Sequence, residues 1–405
     1  MKKIIVLTAI LLAPLNSFAS DVLLRRPMIN ATAADTIITK TIYYDFLSID
    51  SIAMNGIEKE EERKVEDGST RFRPVHADVV SFFERFSQID TNYIEPQHYN
   101  YAAMIQNTNT YEVYRISNKK GYSVTFAPEW SYKIGPYFGW RWIFLGYTLD
   151  INHIDLNGDD KQRQEFDVSL YTNLFGIDLY YRKSGDDYKI KRSHLGDGVD
   201  TKPLKGEPFH GFRSSVKGFN IYYILNHHKF SYPAAFSQST VQRRSAGSPL
   251  LGFAYTVHKI SIDWTQLQKI IDEKIPDQDF VSPVLPERQS FNMKYADVSL
   301  SAGYGYNWVF AKNCLLSISM SAALAYKYSK GGDDETLTMK PKFSFHNFGF
   351  DGIGRFGLVW NNTKWYAGVN STLNMFNYNK SEVSLNTVFG NLNFYFGLNF
   401  GRKKE

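Results

Sequence analysis

Charged and amide side chains that could line an enclosed polar path are spread thinly along this chain. Arg141, Asp178, Lys217 and Asp297 are single charges in otherwise uncharged stretches, and Gln238, Gln242, Arg243 and Arg244 gather in one short segment. Asp150 and Asp167 belong to the same set. Facing charges of this kind either pair with one another or line a path for a small polar solute. Patterns for bond-making chemistry are poor. His153-Ile154-Asp155-Leu156-Asn157-Gly158 offers a base but no serine, and a nucleophile needs its hydroxyl within reach of that base. Asp155, Asn157 and Asp159 imitate the first ligands of a calcium loop. Gly158 is out of place for one, and Phe166 stands where a bidentate carboxylate is required. His227 and His228 are adjacent, and neighbours on a strand point to opposite faces, so they cannot readily chelate one metal. Cys314 is the sole cysteine and sits among apolar residues, which suits a packed or lipid-facing thiol. No phosphate loop, zinc pattern or nucleic-acid patch is present, so we expect no cofactor and no nucleic-acid partner.

Long alternating segments must position these groups. In Lys294 to Val309, the residues Ala296, Val298, Leu300, Ala302, Tyr304, Tyr306 and Trp308 share one face, opposite Asp297, Ser299, Ser301, Gly303, Gly305 and Asn307. Cys314 to Lys327 and Val388 to Phe400 repeat the pattern, with Leu316, Ile318, Met320, Phe394 and Phe396 opposing Ser317, Ser319, Asn391 and Asn393. Period two held this long exceeds the usual soluble strand of about five or six residues and suits a tilted membrane strand. The polar face is Ser, Gly and Asn rather than Lys and Glu, which fits a wet lumen better than a solvated exterior. We read strands near 111–117, 120–128, 136–150, 165–173, 177–183, 215–228, 249–263, 293–308, 313–328, 342–359, 364–378 and 386–401. Tight links such as Asn173 to Gly176, Val309 to Lys312 and Asn361 to Thr363 alternate with long polar ones. Short turns at one end and long loops at the other are the arrangement of outer-membrane barrels. Lys229 to Ser248 breaks the rule, being long on the side of the tight turns. Pro233 and Arg243-Arg244 argue against a continuous strand there, and we expect this segment to fold back into the lumen.

The fold class expected is all-β: an antiparallel transmembrane β-barrel of about twelve strands (ten to fourteen) with a short helical N-terminal extension. Lys2 and Lys3, the apolar run Ile4 to Leu15 and Ser17-Phe18-Ala19 read as a secretory signal over 1–19. Residues 20–110 read as a periplasmic extension carrying the charge run Glu58 to Lys64 and a short amphipathic helix from His76 to Phe86, with 111–405 as the barrel. A plug made by that extension stays open as an alternative. The 27 Tyr and 30 Phe fit interfacial aromatic girdles, and a net charge of +5 implies no polyanionic partner.

Asp90 to Pro96, Gly135 to Trp142, Tyr232 to Ser248 and Gly303 to Trp308 resemble a Bacteroidetes family of outer-membrane barrels catalogued as a domain of unknown function. The resemblance runs from about Asp90 to the end. It implies the fold and the outer membrane of a Gram-negative cell, and brings no active site with it.

Three functions follow as expectations. The first is a porin-like, non-enzymatic barrel that binds or passes a small solute. The second is a barrel-wall lipid hydrolase of the phospholipase or lipid A deacylase type, for which His153 to Gly158 is a faint match. The third is a structural or surface-interaction barrel contacting partners through 184–214 and 264–292. Outer-membrane lipids and the barrel-assembly machinery are the other expected partners.

Overall fold

The computed structural model describes residues 42–44, 88–129, 131–140, 143–146, 149–150, 164–185, 187–276, 290–329, 344–380 and 383–403. The signal segment, the helix expected at His76 to Phe86, Arg141 and the loop His153 to Asp159 lie outside the described residues. Strands β1 (Ile42–Tyr44), β2 (Ile94–Pro96), β3 (Tyr99–Asn118), β4 (Ser123–Pro128), β5 (Ser131–Trp140), β6 (Ile143–Gly146), β7 (Leu149–Asp150), β8 (Gln164–Tyr171) and β9 (Phe175–Lys183) come first. They are followed by β10 (Tyr188–His194), β11 (Phe212–Ile224), β12 (Thr240–Gln242), β13 (Ala246–Asp263), β14 (Ser290–Ala311), β15 (Cys314–Ser329), β16 (Phe348–Asn361), β17 (Trp365–Lys380) and β18 (Val383–Arg402). Two helices, α1 (Pro233–Phe236) and α2 (Trp264–Lys274), stand between strands.

The sheet returns on itself. β3 pairs with β18 along one edge and with β4 and β5 along the other. From β5 the ladder runs through β6 and β1 to β8, then through β9, β11 and β13 to β14–β18. Every pairing is antiparallel except that of β1 with β8. The wall strands β3, β5, β6, β8, β9, β11 and β13–β18 make the expected twelve, with the three-residue β1 inserted between β6 and β8. β3 is one 20-residue strand, so the break placed at 110 falls inside it, and Ile42–Tyr44 of the expected extension also pairs within the sheet. Its first half hid from the pattern because Asn107 and Asn109 interrupt the apolar alternation.

Side-chain polarity is inverted relative to a soluble barrel. Leu300 is 68% exposed, Met320 67% and Phe350 71%, with Ile105, Phe138, Phe253, Phe394 and Phe396 also outward. Asp297, Thr256, Asn307, Ser317, Ser319 and Arg355 point inward and are buried. Apolar surface on this scale belongs against hydrocarbon rather than water. Trp308, Trp360 and Trp365 remain exposed toward the end that carries the tight turns, where an interfacial girdle belongs.

The tight turns close by local side-chain bonds. The Thr172 hydroxyl and backbone both engage Phe175. Asn361 and Asn362 accept from the backbone of Thr363 and Trp365 at 2.8 and 2.7 Å. Residues 88–98, the tight turns and Arg402 share one end, as the bond from Lys403 N–H to the His98 carbonyl shows. β18 follows β17 through a short link at the other end, so the alternation of short and long links is incomplete there.

Candidate functional site

The lumen is built in three layers from inward-facing positions. At the loop end an apolar cluster fills it: Tyr114, Phe126, Tyr188, Phe209, Phe212, Trp264, Leu267 and Tyr295 among others. α2 contributes Trp264, Leu267 and Ile271 to this stopper. Its start is fixed by Asp263, whose carboxylate accepts from Thr265 and Gln266 N–H at 3.0 and 3.2 Å.

The middle layer is charged. Lys133 on β5 pairs with Glu165 on β8, which also accepts from Thr110 at 3.3 Å. Arg182 on β9 donates to Asp167 at 3.0 Å and lies over the Phe389 ring. Arg355 on β16 donates to Asp178 on β9, and Asp178 accepts from Ser169 at 2.8 Å and Asn220 at 3.3 Å. Lys327 on β15 reaches Asp351 on β16, with Asp297 on β14 at 3.4 Å. Isolated buried charges are costly, and pairing with further hydrogen bonds offsets that cost.

The turn-end layer is the Lys229 to Ser248 segment, folded inward as expected. Pro233 opens α1, and Ser231 accepts from Ala234 N–H at 3.2 Å. Phe230, Tyr232 and Phe236 pack with Tyr171, Tyr222, Tyr366, Tyr395, Leu315 and Val359, which project inward from strands around the ring. Polar bonds fasten the segment: Tyr232 to Ser319 at 2.8 Å, Gln238 to Tyr395 at 2.7 Å, and Asn307 to Gln242 at 2.9 Å. Outside the wall, β12 pairs with β2, so the plug is tied to the chain that precedes β3. Two groups here have shifted protonation. Burial, then neighbouring His228, holds His227 below the ordinary histidine value. The backbone and amide of Asn92 hold the Asp90 carboxyl below the usual range.

Of the residues singled out by sequence, Asp178 and Asp297 join the charged layer, and Gln238 and Gln242 lie in the plug. Asp167 joins them. Lys217 does not: on β11 the buried positions include Val216 and Asn220, and Lys217 is exposed on the outer wall toward the loop end. Arg243 and Arg244 also differ from expectation. Arg243 sits half-exposed at the turn-end rim, paired with Glu95 and donating to Asn313 at 2.9 Å, and Arg244 lies exposed over the Tyr93 ring. Both residues follow the plug as the chain leaves the lumen. Sequence reasoning missed Lys133, Glu165, Arg182, Asp351 and Arg355. Their signal was a lone charge on the Ser/Gly/Asn face, the same one that marked Asp297.

The wall histidine of β13, His258, is buried inside, stacked on Tyr295 at 4.5 Å, and among the described wall strands no serine hydroxyl bonds a histidine ring.

Fold and lumen together define an antiparallel transmembrane barrel, closed at one end by an apolar cluster and at the other by its own inward-folded segment. The chain belongs to the family described as Domain of unknown function (DUF4421), which matches residues 88–400. No relative was found among curated proteins. Similar solved structures are outer-membrane β-barrels. The Pseudomonas putida toluene transporter TodX is 9% identical with a TM-score of 0.20, covering 76% of this chain and 97% of its own. The translocator domain of the autotransporter NalP from Neisseria meningitidis is 7% identical with a TM-score of 0.27, covering 88% and 99%. A Pseudomonas aeruginosa FadL homologue is 9% identical with a TM-score of 0.20, covering 74% and 90%. These scores carry no argument about activity.

Proposed function

We propose that this is an outer-membrane barrel of a Gram-negative cell that binds or passes a small polar solute through its lumen, with Lys229 to Ser248 as the closing element. In this reading residues 1–19 are a cleaved signal, residues 88–97 lie at the periplasmic end of the barrel, and the barrel-assembly machinery inserts the wall. The observation that carries it is the charged layer held between two stoppers, one of which is fastened to the wall by side chains rather than by a β-ladder. A purely structural barrel would be served by an apolar filling without the desolvation cost of four buried charge clusters.

The Ala235 Cβ lies 3.4 Å from where a Cβ on Gly357 would stand, within reach of a disulfide. In a Cys314→Ser background, an oxidised Ala235→Cys/Gly357→Cys protein should show no single-channel steps in planar bilayers, and reduction should restore those of the parent. Equal conductance before and after reduction rejects the plug as a gate. A parent that neither conducts nor retains a polar solute leaves the structural barrel as the better reading.

A further inference from the structure

β16 and β17 are hydrogen-bonded from Gly352–Met375 to Asn361–Tyr366, and no further. Toward the loop end their outer neighbours continue: β15 pairs with β16 to Phe348, and β17 with β18 to Lys380. The wall therefore parts along Phe348 to Asp351 and Phe376 to Lys380. Side chains bridge the parting in place of a ladder. Asp351 accepts from Asn377 N–H at 2.9 Å, the Asn377 amide donates to the Phe350 carbonyl at 2.8 Å, and Lys327 donates to the Asn377 carbonyl.

Over this seam lies a pocket of about 550 Å³. Its polar lining comes from Arg115 and Ser117 on β3, Asn377 and Asn379 on β17, and Ser384 and Asn386 on β18. His346 and Asn347 close one side, Lys327 forms the floor, and among the described residues no carboxylate lines it. Asp297 and Asp351 neutralise Lys327 from the lumen side, which leaves Arg115 as the uncompensated charge of the described lining. Arg115 is exposed and has no ion-pair partner among the described residues. Beside the polar mouth, Phe348 and Phe350 stand outward at the edge of the apolar belt.

We infer that this seam is a site for the anionic head group of a phospholipid, with the phosphate against Arg115, the amides of Asn377, Asn379 and Asn386 donating to it, and the acyl chains lying over Phe348 and Phe350. The site is in the wall, so it rests on the membrane reading and is independent of solute passage. A cation without a partner among the described residues, set beside hydrogen-bond donors, suits phosphate, and the adjoining apolar surface suits a tail.

The test uses the full-length protein in neutral detergent, with dihexanoyl phosphatidic acid and inorganic phosphate as probes. The lipid should bind, excess inorganic phosphate should not displace it, and Arg115→Gln should weaken it about fivefold, as loss of one partly exposed charge-assisted contact would. Asn386→Asp, which adds a carboxylate to the lining, should weaken it at least as much. Phe350→Ser should weaken the lipid and leave any phosphate binding unchanged. Unchanged lipid affinity in both Arg115→Gln and Asn386→Asp overturns the site. Inorganic phosphate binding as tightly as the lipid overturns the lipid assignment.

Discussion

The Tyr232 hydroxyl donates a 2.8 Å hydrogen bond to the Ser319 hydroxyl, joining the segment inside the lumen to a wall strand 87 residues further on. Both side chains are buried. Replacing Tyr232 with Phe keeps the packing and strands the Ser319 hydroxyl, so the barrel should lose about 1 kcal/mol of stability. Urea unfolding from lipid vesicles measures this. If the plug also gates, conductance in the variant should rise while the fold persists.

The bond between Arg355 and Asp178 ties β16 to β9 across the lumen, with the guanidinium 4.4 Å from the Tyr222 ring centroid. Asp178→Asn leaves a buried cation uncompensated and should cost about 3–5 kcal/mol. The double replacement Asp178→Leu/Arg355→Met should cost less than that single change, because it removes both charges. Unfolding midpoints for Asp178→Asn and the double check it, and Asp178→Leu and Arg355→Met alone complete the cycle with the parent.

His227 gives the turn-end cap a pH dependence of definite sign. Its folded value lies below the ordinary one through burial and the adjacent His228 ring, 4.1 Å away. The unfolded chain therefore takes up the proton first as pH falls. Stability should be full above the ordinary histidine value of about 6.5 and decline as pH drops through it. His227→Gln should flatten the decline between neutral and mildly acidic pH, read as unfolding midpoints against pH. An unchanged slope would assign the effect to other groups.

Much of the wall was legible because every outward residue must be apolar where hydrocarbon touches it, which imposes period two on β14, β15 and β18. The inward fold of Lys229 to Ser248 was legible for a related reason, since a long segment with Pro233 on the short-turn side cannot continue the ladder. Height along the wall was not legible. Lys217 lies outward near the loop end, where charge can reach water, and alternation alone cannot separate that from a lumen position. Arg243 and Arg244 were misplaced because charge does not reveal where the chain leaves the lumen. The partners of Arg355 and Lys133 lie 177 and 32 residues away, and only closure of the ring brings them together.

Leu300 stands mid-belt on β14, 68% exposed, between Phe253 and Leu324 on the neighbouring strands. Leu300→Arg, compared with the parent by reversible unfolding from phospholipid vesicles, tests most directly whether hydrocarbon covers this face. The expected result is a loss of about 2–4 kcal/mol, as for an arginine held at the bilayer midplane. A change within about 0.5 kcal/mol, typical of a water-facing substitution, would contradict the membrane barrel.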